Sequence, residues 1–170
     1  TYKNAQKGLQ NILDKLRFHL SMVFQRFLDK NDSRANNVDI FVNTVKVEPW
    51  DPFCVSEPKT ILLQDANVPV EMPDEAKASF HIAAYIVPRK GDFTTIQAEK
   101  NARVSNDMQG IYVYRENRLI HTGDWFGFQK KEPHYSLLRV EFSFGYDMDE
   151  LLNVDIKKSR ILLIGELAEF

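Results

Sequence analysis

One cysteine, seven glycines and a net charge of −2 in 170 residues leave several classes of protein out. A lone Cys54 forbids an internal disulfide and suits a reducing compartment, so the expected location is the cytoplasm. The glycines at 8, 91, 110, 123, 127, 145 and 165 are never spaced as a phosphate-cradling loop requires. Neither a P-loop nor a dinucleotide fingerprint is therefore present. The four histidines, His19, His81, His121 and His134, stand far apart and have no zinc-ligand spacing with Cys54 or with carboxylates. No long basic run offers a chain-wide footprint for nucleic acid. No apolar run approaches the ~20 residues that cross a bilayer. Repeats and low-complexity stretches are missing too. What is left is ordinary globular composition, and a chain of this length buries roughly 70% of its unfolded surface without staples.

The pattern that is present is mixed. Leu9, Ile12, Leu13, Leu16, Leu20, Val23, Phe24, Phe27 and Leu28 recur at three- and four-residue spacing, which predicts one long helix over the first thirty residues. Its length suggests that part of it packs on something outside this chain. Asn31 to Asn37 is rich in turn formers and ends it. Val38–Val42 and Val45–Val47 alternate around a polar Asn43-Thr44 tip, the signature of a hairpin closed by Pro49-Trp50-Asp51-Pro52-Phe53. Residues 54–76 carry three prolines and read as a connector with one edge strand, Ile61-Leu62-Leu63. Ser79–Val87 reads as a strand covered on both faces. Thr94–Val104 suits a short helix, and residues 110–120 a hairpin with Glu116-Asn117 at its tip. Leu138, Val140, Phe142 and Phe144 alternate with Leu137, Arg139, Glu141 and Ser143, which predicts a half-buried strand. Asp147-Met148-Asp149-Glu150 has the capping-box form for a helix through Leu152. Ile161-Leu162-Leu163 suits a last strand or the entry to a helix. Glu166–Phe170 looks like a helix beginning, so the expectation is a piece of a longer protein.

Few residues advertise chemistry. Cys54 is expected to be a packed, inert thiol, and His19 and His81 to be structural. Trp50 and Phe53 read as packing residues at a hairpin exit. Trp125, Phe126 and Phe128 form an aromatic loop that suits either a partner contact or a core plug. Catalysis by this chain alone is not expected.

The order of several blocks is more specific than any one of them. His19-Leu20-Ser21-Met22-Val23-Phe24-Gln25-Arg26-Phe27-Leu28 precedes Asp39-Ile40-Phe41-Val42-Asn43, and Pro49-Trp50-Asp51-Pro52-Phe53 follows. Gly110-Ile111-Tyr112-Val113-Tyr114-Arg115 comes next, with Asn117-Arg118-Leu119-Ile120. Asp149-Glu150-Leu151-Leu152 and Val154-Asp155-Ile156-Lys157-Lys158-Ser159-Arg160 close the series. In this order the blocks resemble the GHKL ATPases, in particular bacterial relatives of MORC, MutL and the ninety-kilodalton heat-shock chaperones. The resemblance runs from about residue 9 to 165.

It implies an α+β fold: a mixed or antiparallel sheet with helices on one face, like domain 2 of the fifth small-subunit ribosomal protein, preceded by a long helix and a β-hairpin. Residues 1–55 would be the C-terminal end of an ATP-binding domain, and 56–170 its transducer domain. The ATP site's own hallmarks, a Glu/Asn helix and Asp-x-Gly-x-Gly, are not in this sequence. ATP and Mg²⁺ would therefore bind the parent protein through a preceding domain and not this piece alone, and the parent would be an ATP hydrolase that pairs as a homodimer. The family places a transducer lysine against the γ-phosphate; by position that residue is Lys158, with Lys157 second. Arg115 and Arg118, beside the 116–117 tip, are candidates for DNA contact because MutL-like and MORC-like relatives bind DNA. Arg115, Arg118, Trp125 and Phe126 together are the candidate DNA or partner residues. The alternative is a stand-alone protein-interaction or DNA-contacting domain with no dependence on nucleotide.

Overall fold

The computed structural model describes residues 2–71, 77–149 and 152. The chain divides into two compact units, Thr1–Pro52 with Asn117–Leu119, and Phe53–Glu116 with Ile120–Phe170.

The first unit is built on α1 (Tyr2–Val23) and α2 (Gln25–Leu28), so the single expected helix is interrupted at Phe24. Phe24 leaves helical geometry at φ −107°, ψ 23° while its N–H still donates to Leu20 O. The apolar stripe is covered only toward its end. Val23 and Leu28 are buried, whereas Leu9 and Ile12 are 59% and 63% exposed. A hairpin of β1 (Phe41–Val42) and β2 (Val45–Lys46) follows. Asn43 and Thr44 take φ of 49° and 65° at its tip, the left-handed pair that a two-residue type I′ turn demands. The hairpin exit returns to the helix: Trp50 N–H donates to Ser21 O, and its ring meets Phe18 edge-on at 5.4 Å.

The second unit is a five-stranded sheet in the order β3-β4-β7-β5-β6. Its strands are β3 (Ile61–Glu71), β4 (Lys77–Ile86), β5 (Gly110–Arg115), β6 (Arg118–Asp124) and β7 (Leu138–Phe144). β4 pairs antiparallel with both β3 and β7, and β5 runs parallel to β7. The fold is thus α+β with a mixed sheet. β3 is an edge strand, as the prolines suggest, but it is eleven residues long instead of three. Pro69 fits within it opposite Ser79 because an outer strand has a side that needs no N–H donor. The expected strand core, Ile61-Leu62-Leu63, is the exposed end of β3, where a bulge between Leu62 and Gln64 breaks the register.

Register assigns the two faces. Phe80, Ile82 and Ala84 lie opposite Phe144, Phe142 and Val140, with Val113 beside Phe142 on β5. This is the apolar face. It packs Phe80 on Phe142 at 5.0 Å and is capped at one end by Met148 and Leu152. The other face carries Asp65, His81, Tyr85, Arg139, Glu141, Ser143 and the tyrosines of β5. Phe53 covers part of it, stacking near Tyr85 and Tyr112 at 4.9 and 5.6 Å. Cys54 is buried there with Val87 and with Ala102 of α3 (Ile96–Ala102), as expected of a packed thiol. Thr95 caps α3 by accepting the Ala98 N–H at 3.0 Å. The expected helix at 147–152 begins instead as a 3₁₀ turn, Tyr146–Met148, without a side-chain cap. No helix among the described residues is long and apolar enough to cross a membrane.

Candidate functional site

β7 was read as a half-buried strand. The structure makes it a central strand, and its charged side chains are covered. Arg139 is fully buried and Glu141 is 1% exposed. A buried charge is costly unless it is bonded, and both are. Arg139 Nη2 donates to Ala102 O at 2.7 Å, tying the end of α3 to the sheet. Glu141 Oε1 accepts from Ser143 Oγ at 3.1 Å and lies 3.1 Å from His81 Nδ1; His81 Nε2 is 2.9 Å from the more exposed Asp65. Tyr112 donates its hydroxyl proton to Met108 O at 2.6 Å. Burial pushes its pKa up to about 12, with the nearby Arg139 acting in the opposite direction. This network was missed from sequence because alternation reports faces and not what covers them. The tyrosine-rich neighbours Tyr85, Tyr112 and Tyr114 were the available signal.

Each residue singled out from sequence has a definite place where the structure describes it. Arg115 is committed to Asp149: its Nε donates at 2.6 Å and Nη2 bonds the other carboxylate oxygen. The carboxylate raises the pKa of the Arg115 guanidinium. Asp149 was not recognised as its partner, since the two are 34 residues apart. Beside this pair, Glu116 accepts the Tyr146 N–H at 2.8 Å, and its own N–H donates to Phe144 O. The far end of β5 is thereby bound to the segment that leads to Leu152.

Arg118 and the tip belong with the first unit. The Arg118 guanidinium stands 5.5 Å from the Phe24 ring centre. Asn117 accepts from the buried Arg26 at 3.1 Å and donates to Arg34 O at 2.7 Å. Glu116 and Asn117 repeat the φ pair of the first hairpin, 49° and 65°.

Trp125 is a core plug and not an exposed contact. It is 9% exposed, and its Nε1–H donates to Gln109 Oε1 at 3.1 Å. The Gln109 amide is fully buried and also bonds Glu132 through both N–H and C=O. Phe126 sits at φ 50° with its ring 4.7 Å from that of His121. Burial alone would raise the Asp124 carboxyl. The Phe126 N–H and His121 outweigh it and hold the pKa below the ordinary value. Phe128 is 47% exposed. Trp125 and Phe128 border a cavity of about 480 Å³ over the open part of the apolar face, floored by Ala66, Ile82, Ile111 and Val140.

Lys157 and Lys158, and the Val154–Ile161 block around them, lie outside the described residues. Among the described residues no group of three or more His, Cys, Asp or Glu is placed to hold a metal ion. The class this architecture defines is α+β with a mixed five-stranded sheet. Comparison with protein-family models, curated proteins and solved structures found no match to this chain.

Proposed function

We propose that this chain is the transducer region of a GHKL-type ATPase, coupling nucleotide state in a preceding domain to movement and pairing of protomers. The observation that carries the reading is the ordered series of blocks from His19 to Arg160. The α+β architecture, with a long helix and hairpin ahead of a mixed sheet, is compatible with it. The ribosomal-protein-like topology remains part of the proposal.

In this reading ATP and Mg²⁺ are held by the preceding domain. The chain's own contribution in that arrangement is one cation. Lys158, or Lys157 in second place, would set an ammonium against the terminal phosphate. A compact ammonium suits phosphate oxygens and exists as a contact only while that phosphate does. The contact therefore differs between nucleotide states, which is what shifts a conformational equilibrium. The bonds from Arg115 and Glu116 to Asp149 and Tyr146 support the reading in a second way. They anchor the chain on the sheet immediately before the lysine block, so that displacement of the block is transmitted to β5.

The test uses the longer protein that includes the preceding domain. Lys158→Ala lowers steady-state ATP turnover by at least about tenfold, while circular dichroism and thermal midpoint hold. Unchanged turnover in both Lys158→Ala and Lys157→Ala overturns the proposal. So does a parent sequence with no Asp-x-Gly-x-Gly block ahead of Thr1.

A further inference from the structure

Helix α1 packs on its own unit by one side and leaves an apolar row exposed on the other. We propose that this row is the contact surface for α1 of a second copy of the chain, in an antiparallel pair. The placement, spacing and register of the row select that occupant.

The side in use is defined by three contacts. Phe18 packs on Trp50, Ser21 O accepts the Trp50 N–H, and Arg17 Nη2 donates to Val42 O at 3.4 Å. Nine residues are about two and a half helical turns, so Leu9 lies on the side of α1 opposite Phe18. There Tyr2, Ala5, Leu9, Ile12 and Leu16 follow one another at intervals of three and four, and none of them is buried. The four large ones are between 43% and 78% exposed. Gly8 stands beside this row with nothing within 4 Å of the place a Cβ would take. No described neighbour therefore calls for a glycine, which weakens a helix interior relative to alanine. A second backbone approaching closely does call for one.

The spacing selects a helix as the partner. Alternating intervals of three and four are the repeat of a coiled-coil seam, a narrow stripe that fits another helix. A helix that lies in a lipid surface has a polar face rich in Lys and Arg around a broad apolar one. The positions flanking this seam are Gln6, Gly8, Leu13 and Lys15, of which only Lys15 is charged. The seam therefore selects neither an anionic surface nor an acidic helix.

The register selects the same helix running the other way. About a two-fold axis between Gln10 and Asn11, Leu9 meets Ile12 of the second copy, Ala5 meets Leu16 and Tyr2 meets His19. The smallest side chain of the row thus faces a large one, whereas a parallel pair sets Ala5 on Ala5 and leaves a void. The two Lys15 charges lie about 13 Å apart along the axis, beyond the screening length of about 8 Å at physiological salt. The contact covers roughly 1,000 Å² in total, the low end of specific interfaces, so a weak pair forming at about 10–100 μM is expected. It uses neither nucleotide nor Lys158 and is independent of the ATPase reading.

Sedimentation equilibrium of the full 170-residue chain, from about 1 to about 300 μM, tests it. A concentration-dependent dimer is expected. Leu9→Glu with Ile12→Glu raises its dissociation constant at least about twentyfold, because like charges then face each other across the seam. Both side chains are exposed in the monomer, so its circular dichroism is unchanged. A monomer over the whole range overturns the proposal, and so does a dimer that survives the double substitution. A mixture of Leu9→Cys and Ile12→Cys chains reads the direction. The disulfide between positions 9 and 12 forms about tenfold faster than 9 to 9 or 12 to 12, since only that pair is in reach, and peptide mapping separates it from the buried Cys54. Any other ranking overturns the antiparallel pair. Cosedimentation with phosphatidylserine vesicles that the double substitution abolishes assigns the row to a lipid surface and overturns the proposal. The ATPase proposal stands or falls separately, on Lys158.

Discussion

The two sides of β7 solve one burial problem by opposite means. On one side Phe142 and Phe144 meet Phe80 and Val113 with no polar atom to satisfy. On the other, Arg139 and Glu141 are no less buried, yet each needs a specific acceptor or donor. The apolar side tolerates imprecision, since dispersion and exclusion of water are not directional. The charged side does not, because a hydrogen bond weakens steeply with angle and a buried orphan charge is costly. The apolar face is thus specified by shape and exclusion of water, while the polar face is specified by named partners.

The largest expected effect tests the apolar side. Phe142→Ala deletes a ring that is 4% exposed, and the cavity left behind lowers unfolding free energy by about 3–5 kcal/mol in urea titrations. The contrast between the faces breaks if that loss is smaller than the loss on the charged side. There, Glu141→Ala strips acceptors from Ser143 and His81 and costs about 2–3 kcal/mol. A double-mutant cycle with His81→Ala sharpens the point: a coupling near zero would show that the imidazole is a bystander.

Next in size is Gly110→Ala. Gly110 sits at φ +112°, and a Cβ there would meet the Asp124 backbone oxygen at 2.8 Å. Strain of about 1–2 kcal/mol is expected at the point where β5 starts, read as a lower thermal midpoint without loss of secondary structure. The smallest effect concerns the loop that carries Trp125 across the apolar face. The folded Asp124 titrates below its ordinary value of 3.8, so its contribution is present above that pH and is lost as pH falls through the lower folded value. Because the carboxylate is half exposed, the contribution stays under about 1 kcal/mol. Asp124→Asn should flatten the stability profile between pH 5 and pH 3 to about that extent, and an unaltered profile would assign the acid sensitivity to other carboxylates.

Some of this molecule was legible in one dimension. Both hairpin tips were found at Asn43-Thr44 and Glu116-Asn117, and each shows the paired positive φ of a two-residue turn. The strand through Phe80, Ile82 and Ala84 was read with its faces correctly divided. The short helix before β5 and the packed state of Cys54, Trp50 and Phe53 were also foreseen. Other features were read short or wrongly. The three prolines of residues 54–76 led β3 to be read as a short edge strand in a connector, and β7 was read as only half-buried. Of the capping-box residues, Asp147 and Met148 lie in a 3₁₀ turn and Glu150 lies outside the described residues. Of the candidate residues, Arg115 turned out to hold Asp149, and Trp125 to hold Gln109. The two lysines fall outside what the structure describes.

Turn geometry, strand alternation and helix periodicity depend on residues a few positions apart, so the order of amino acids determined them directly. Strand order, the burial of Arg139 and Glu141, and the pairing of His81 with a carboxylate 60 residues away were decided only in three dimensions. The reason is physical. Whether a side chain meets water depends on which distant segment covers it, and that choice is made by the free energy of the whole packed sheet and not by any local window.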